Sequence, residues 1–295
     1  MENMDIKQIT KEFIDHLAGK GRSDSTLIAY KKDIEQLLQY VTNNQKVKKY
    51  RDITTEMLQS YIDKLTNSGE FTLKTISRKI NSLKTFFKYL HNAGVINSNP
   101  GGPIKHPKFQ MQLPRVLSSL EYRALRDTAR GNSRLYTMVE LLLQTGMRIG
   151  ELSRLKRGDV ITRKNHVYLH IERFSSNPAR TIELNEYAND ALQKYLSKLG
   201  EGTPGSFLFF TKNGNPVLIR NIRTAINRAF NKGGIAKATV NDIRNTFIVY
   251  QLQNGVRLEK VAEFVGHRKP TTTEKYLQMV GENKSKKETV KILPL

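Results

Sequence analysis

Three short stretches of the chain gather side chains able to act on a phosphate ester. In TGMRIGEL, residues 145–152, Arg148 follows Gly146 and Glu151 comes three residues later. In NDIRNTF, residues 241–247, Arg244 stands three residues after Asn241. In GHRKPTTTEKY, residues 266–276, Tyr276 stands nine residues after His267. An arginine offers a planar fork of donors to two oxygens and stays charged at any physiological pH. A phenol, with an ordinary pKa of about 10, is protonated near neutrality and attacks well only in a positive environment. Each stretch alone is weak evidence, because Gly-then-Arg opens many helices and a lone His or Tyr usually packs.

Composition narrows the substrate. The chain has 295 residues, room for two domains, and carries a formal charge of +22. Such an excess points to a polyanion, since Lys and Arg that neutralise phosphates release condensed counterions. Charge alone fits an RNA-coating protein as well as a DNA enzyme; the ordered Arg, Arg, His and Tyr positions favour the second. The absence of Cys excludes disulfides, thiolate zinc sites and cysteine nucleophiles. The six His are scattered without an HExxH pair, so no metal is expected. No P-loop sequence points to ATP, and no cofactor is expected. A charged N-terminus and the lack of any run of 18 apolar residues argue against a signal peptide or membrane span, giving an expected location in the cytoplasm, on the nucleoid.

The elements that must position these residues follow from periodicity. Residues 1–100 hold 16 Lys/Arg against 11 Asp/Glu, and residues 101–295 hold 33 against 16. Between them Asn99-Pro100-Gly101-Gly102-Pro103, then Pro107 and Pro114, reads as an extended connector. The expected plan is a helical DNA-binding domain (1–98), the connector (99–115), a catalytic domain (116–279) and a tail (280–295). Helices are expected near Ile6–Ala18, Ser25–Tyr40, Thr55–Thr66 and Thr72–Ala93. The last carries an apolar stripe of Ile76, Ile80, Leu83, Phe87 and Leu90. Across from it Lys74, Arg78, Ser82, Thr85 and Lys88 form a candidate phosphate-contact face, although a solvated helix face is the plainer reading. In the second part Ser118 with Glu121 signals a capping box for a helix through Ala129. A helix from Ser133 stops at Gly146, and another runs through Leu155. Val160–Ile161, Val167–Ile171 and Thr181–Leu184 read as strands, separated by the turns Thr162–Asn165 and Ser175–Pro178. Helices resume near Ile219–Asn231, Asn241–Asn254, Arg257–Val265 and Thr271–Met279. The fold class is mainly α, with a small antiparallel three-stranded sheet in the C-terminal domain (α+β).

In this order and spacing the three stretches resemble the tyrosine recombinase (phage integrase) family. Its signature is an Arg in a TG-x-R-x-x-E context, a later H-x-x-R, then G-H and a Tyr nine residues beyond. The resemblance covers nearly the whole chain, including the connector ending LPRVLS, and the compact length is similar to Xer-type or transposon-encoded members. It implies an N-terminal helical SAM-like core-binding domain and a C-terminal catalytic domain. It also implies Tyr276 as nucleophile, leaving a 3′-phosphotyrosine and a free 5′-hydroxyl. Arg148 and Arg244 would clamp the phosphate, His267 would donate to it or manage the tyrosine proton, and Glu151 would buttress the site. The bond energy stays in the ester, so neither ATP nor metal is required. Implied partners are a double-stranded DNA recombination site and further copies of the chain, tetrameric on DNA and passing through a Holliday junction. The apolar Ile292, Leu293 and Leu295 of the tail are expected to dock into a neighbouring catalytic domain.

Two positions depart from the pattern. The family's Lys in the turn between the second and third strands has no counterpart in HIERFSSNPARTIEL, residues 170–184. Aligned from the preceding strand Arg173 takes its place; aligned from the following strand Ser175 does; Lys164 in the neighbouring turn is a further alternative. Arg173 is favoured because it keeps a cation, yet a guanidinium is a poor general acid. Asn241 stands where H-x-x-R has its His, and an amide cannot exchange a proton. The competing expectations are therefore a DNA-binding relic without catalysis, or related chemistry used for DNA relaxation or hairpin telomere formation.

Overall fold

The computed structural model describes residues 6–45, 47, 49–110, 112–174, 177–200, 202–280, 289 and 291–295. The chain divides into two compact units, Met1–Met111 and Gln112–Leu295.

The first unit holds helices α1 (Ile6–Gly19), α2 (Asp24–Gln45), α3 (Thr55–Asn67) and α4 (Leu73–Asn92). The Thr72 hydroxyl starts α4 by accepting the Thr75 N–H, and the α4 stripe packs against Phe13, Ile34, Leu37 and Leu58. Each fully buried side chain of this size stabilises the unit by about 1.5–3 kcal/mol. The polar face of α4 is split. Lys74, Arg78 and Lys88 stay exposed. Ser82 does not: it is buried and donates to Asp33 Oδ2 at 2.8 Å, because its position beside Leu83 and Phe86 rolls it toward the core. This corrects its place on the candidate phosphate face. Thr85 donates back to Asn81 O at 2.7 Å within the helix. Buried Asp33 also accepts from Arg78 at 2.6 and 3.0 Å and from Lys79 Nζ at 3.0 Å.

The second unit opens with α5 (Ser119–Ala129), where Ser118 and Glu121 form the reciprocal cap that the sequence signalled. Next come α6 (Ser133–Thr145), buried from Thr137 to Thr145, and α7 (Ile149–Arg154). Strands β1 (Val160–Arg163), β2 (His166–Ile171) and β3 (Arg180–Glu183) make an antiparallel sheet in that order, with Leu169 paired to both Val160 and Ile182. Helix α8 (Glu186–Leu199) was not expected from the sequence, although Ala188, Ala191, Leu192 and Tyr195 at helical spacing form its buried face. Asn185 caps it by accepting the Ala188 N–H at 3.1 Å. Then follow α9 (Ile219–Lys232), α10 (Val240–Gln253), α11 (Leu258–Val265) and α12 (Thr271–Glu274). The single helix expected over Thr271–Met279 is instead α12 and a separate 3-10 turn, Leu277–Met279, with Tyr276 between them. The mainly helical class with one small sheet stands. No helix among the described residues is long and apolar enough to cross a membrane.

The described tail residues lie on their own unit. Gln251 holds Leu293 through both main-chain groups, at 2.9 and 2.7 Å, and Gln144 holds Leu295 likewise at 2.9 and 2.8 Å. Most of the basic stretch before them lies outside the described residues.

Candidate active site

Helix α6 ends at Gly146 with φ 58°, and a Cβ there would meet the Phe247 ring at 2.6 Å. Only glycine accepts both the left-handed backbone and this approach by α10. The turn delivers Arg148 to the start of α7, where Glu151 Oε2 accepts its backbone N–H at 2.9 Å.

Three guanidiniums then converge on the C-terminal end of α11. Phe264 O accepts from Arg180 Nε at 2.8 Å, and Val265 O accepts from Arg244 Nη2 at 2.8 Å and Arg148 Nη1 at 3.4 Å. Gly266 O accepts from Arg148 Nη1 at 3.2 Å, while Arg244 Nη1 also donates to Gly146 O. The last carbonyls of a helix lack intrahelical partners and carry partial negative charge, so they suit cations. Among the described residues Glu151, also buried, is the carboxylate these arginines share: Arg180 donates to its two oxygens at 3.1 and 2.9 Å, and Arg148 donates at 3.3 Å. Burial alone would raise the Glu151 carboxyl, but Arg180 and then Arg148 outweigh it and hold it below the usual range. One anion against three cations leaves the cluster positive. Burial, with Arg148 adding repulsion, brings Arg244 down to about 9, so it remains charged at neutral pH.

His267 follows directly on this helix end. Its Nδ1 lies 2.7 Å from the hydroxyl of buried Thr273. Burial, then Arg244 and Arg148, push its pKa down to about 3. The ring is therefore neutral, with Nδ1 engaged by the Thr273 hydroxyl and Nε2 left for another partner. Tyr276 is 3% exposed and its hydroxyl donates to Asn245 Oδ1 at 2.8 Å. Burial raises the phenol; Arg244 and Arg148 pull the other way without cancelling it.

Arg148, Arg244, Glu151, His267 and Tyr276 thus share one electrostatic cluster. Among the described residues no side-chain hydrogen bond or ion pair ties Asn241 or Arg173 to it. Asn241 is exposed at the start of α10, and among the described residues no hydrogen bond holds its side chain. Arg173 is exposed past the end of β2, again with no hydrogen bond or ion pair among the described residues. Phe174 and Asn177 form an isolated bridge, with Arg154 stacked 3.8 Å from the Phe174 ring centre, and Arg173 lines a small cavity that Glu151 and Arg154 also line. Lys164 is exposed in the β1–β2 turn, and Ser175 lies outside the described residues. Arg180, Asn245 and Thr273 were missed in the sequence. For Arg180 a signal existed: strand alternation puts it on the face of buried Ile182.

The phage integrase family matches residues 114–282, and the N-terminal SAM-like domain of phage integrases matches residues 10–94. A tyrosine recombinase XerC of Listeria innocua is 27% identical over 288 residues, 94% of each chain. A lambda integrase dimer bound to a COC' core site has the same fold, with a TM-score of 0.76 over 97% of this chain and 80% of that one at 19% identity. A lambda integrase tetramer bound to a Holliday junction gives a TM-score of 0.71 over 92% of this chain and 79% of that one at 17% identity. The chain belongs to the phage integrase family, the family of the tyrosine recombinases.

Proposed function

We propose that the chain is a site-specific DNA recombinase that cuts and rejoins strands through Tyr276. The observation that carries this reading is the convergence of Arg148 and Arg244 on the Val265 carbonyl, with His267 and Tyr276 in the same field. The Tyr276 oxygen attacks the phosphorus; the new O–P bond forms as the bond to the 5′-oxygen breaks. The phenol loses its proton, and the departing oxygen gains one to become a 5′-hydroxyl. Arg148 and Arg244 meet the charge growing on the non-bridging oxygens from fixed positions. Neutral His267, its Nδ1 on the Thr273 hydroxyl, would meet the phosphate through Nε2, as a donor when the proton is carried there. Turned inward, Arg173 would bring charge to the leaving oxygen and not a proton.

The DNA-facing surface is proposed to include Lys74, Arg78 and Lys88 of α4 and the exposed Arg220, Arg223 and Arg228 of α9. Action on chromosomal DNA would place the chain on the nucleoid. Assembly is proposed to reach a tetramer, the number of subunits in the lambda integrase complex with a Holliday junction, and tails are proposed to be exchanged between protomers. Gln144 and Gln251 read the main chain of the tail, so a neighbour's identical tail fits the same seats. Truncation after Met279 should leave DNA binding and abolish synapsis; recombination at the full rate would refute the exchange.

The test is a nicked duplex site, selected from random-sequence DNA by binding and resolved on a denaturing gel. A covalent protein–DNA band lost in Tyr276→Phe is expected. No band from any bound site would sink the enzyme and leave a DNA-binding relic; supercoil relaxation without exchange products would redirect it to DNA relaxation.

A further inference from the structure

Arg115, the last residue of the expected connector, and Leu117 just after it are both held by α10. Asn245 Nδ2 donates to Arg115 O at 3.2 Å, Thr246 Oγ1 accepts the Leu117 N–H at 2.7 Å, and Val116 packs on the cluster that contains Tyr276. The oxygen of the same Asn245 amide accepts the Tyr276 hydroxyl at 2.8 Å. The amide's orientation is fixed, because Nδ2 also reaches Asp242 Oδ1 at 3.3 Å. Flipping it would set its oxygen against a carbonyl and a carboxylate. Asp242 is in turn held by Thr239, whose N–H and hydroxyl donate at 2.7 and 2.9 Å.

We propose that Asn245 is a positioning residue that seats the Tyr276 hydroxyl in its neutral form and ties that seat to the end of the connector. The proposal deepens the recombinase reading and rests on Tyr276 being the nucleophile. An amide oxygen accepts a hydrogen bond but takes up no proton, so it favours the phenol over the phenolate. The charged groups that face the phenol favour the opposite: Arg244 and Arg148 by their field, and Lys275, whose Nζ lies 4.9 Å from the ring centre. Asn245 opposes that pull. Displacing Arg115 moves the anchor of Nδ2, loosens the oxygen from the phenol and yields the hydroxyl to the guanidiniums. Burial of the nucleophile at 3% exposure belongs to this seated state.

The experiment uses the full chain labelled at the tyrosine ring Cζ carbon, followed by NMR against pH, with Tyr276→Phe identifying the Tyr276 signal among the 12 tyrosines. Losing a hydrogen bond of ordinary strength should raise the ionised fraction of Tyr276 in Asn245→Ala about three- to tenfold at any pH where the fold persists. Asn245→Asp, which keeps the size, should lower that fraction, because a carboxylate opposes the phenolate. Thr246→Val frees the Leu117 N–H without touching the phenol and should shift Tyr276 in the same direction as Asn245→Ala, by less. An unchanged or smaller ionised fraction in Asn245→Ala, or a larger one in Asn245→Asp, overturns the proposal; no shift in Thr246→Val removes its connector half. No DNA is needed, so a shift without any covalent DNA band would sink the recombinase reading alone.

Discussion

At the scale of single residues, the site turns on which groups keep their charge. His267 is expected to stay neutral across the range in which a free imidazole titrates, so its ring signals in the unliganded protein should not move between about pH 5 and 8. The sign for stability follows. Its pKa falls from 6.5 unfolded to about 3 folded, so below about pH 6.5 the unfolded chain binds a proton that the folded chain refuses. Stability should therefore drop as pH falls below 6.5, and the drop should be shallower in His267→Gln, measured by urea unfolding at a series of pH values. Glu151 works in the same direction from a different cause: Arg180 and Arg148 hold its carboxyl low, so its contribution is present above the ordinary pKa of 4.5 and is lost as pH falls through the folded value. Glu151→Gln should destabilise the neutral protein by about 3–5 kcal/mol, and the gap should close in acid. The residues with the strongest chemistry were legible from their motifs. Their partners were not, because the Arg148–Glu151 contact is local whereas Arg180 and Asn245 meet the site through distant strands and helices.

At the scale of elements, the end of α11 is the scaffold, with its carbonyls 264 to 266 each fixing a guanidinium. Gly146 fixes the approach of α6 to α10, and Gly146→Ala should cost about 1–3 kcal/mol through overpacking against Phe247, plus roughly 1 kcal/mol of left-handed strain. Gly94 has φ 70° but open space around it, so Gly94→Ala should cost only about 1 kcal/mol. Thermal unfolding of the two variants separates packing from strain: equal losses would contradict the close approach. Helix periodicity was legible where an apolar stripe was long, as in α4. It failed at α8, whose stripe of Ala188, Ala191, Leu192 and Tyr195 is diluted by small residues and follows directly on a strand. It also joined α12 to the turn after it, because periodicity cannot see the break at Tyr276.

At the scale of the whole molecule, the net charge of +22 should make DNA affinity fall steeply with salt. Lys88→Ala should weaken binding by a similar factor on every sequence and flatten the log–log salt slope by about 0.9, in fluorescence-anisotropy titrations; an unchanged slope would remove α4 from the DNA face. Charge and composition made the polyanion legible, while the split of α4 was hidden because buried Asp33 on α2 claims Ser82 and braces Arg78. The central claim is that one tyrosine out of 12, Tyr276, becomes joined to a DNA 3′-phosphate. Mass spectrometry of the trapped covalent complex, after nuclease and protease digestion, reads this directly. A 3′-linked phosphonucleotide on the peptide carrying Tyr276 is the predicted result; an adduct on any other tyrosine, or a 5′-linked one, would contradict the account.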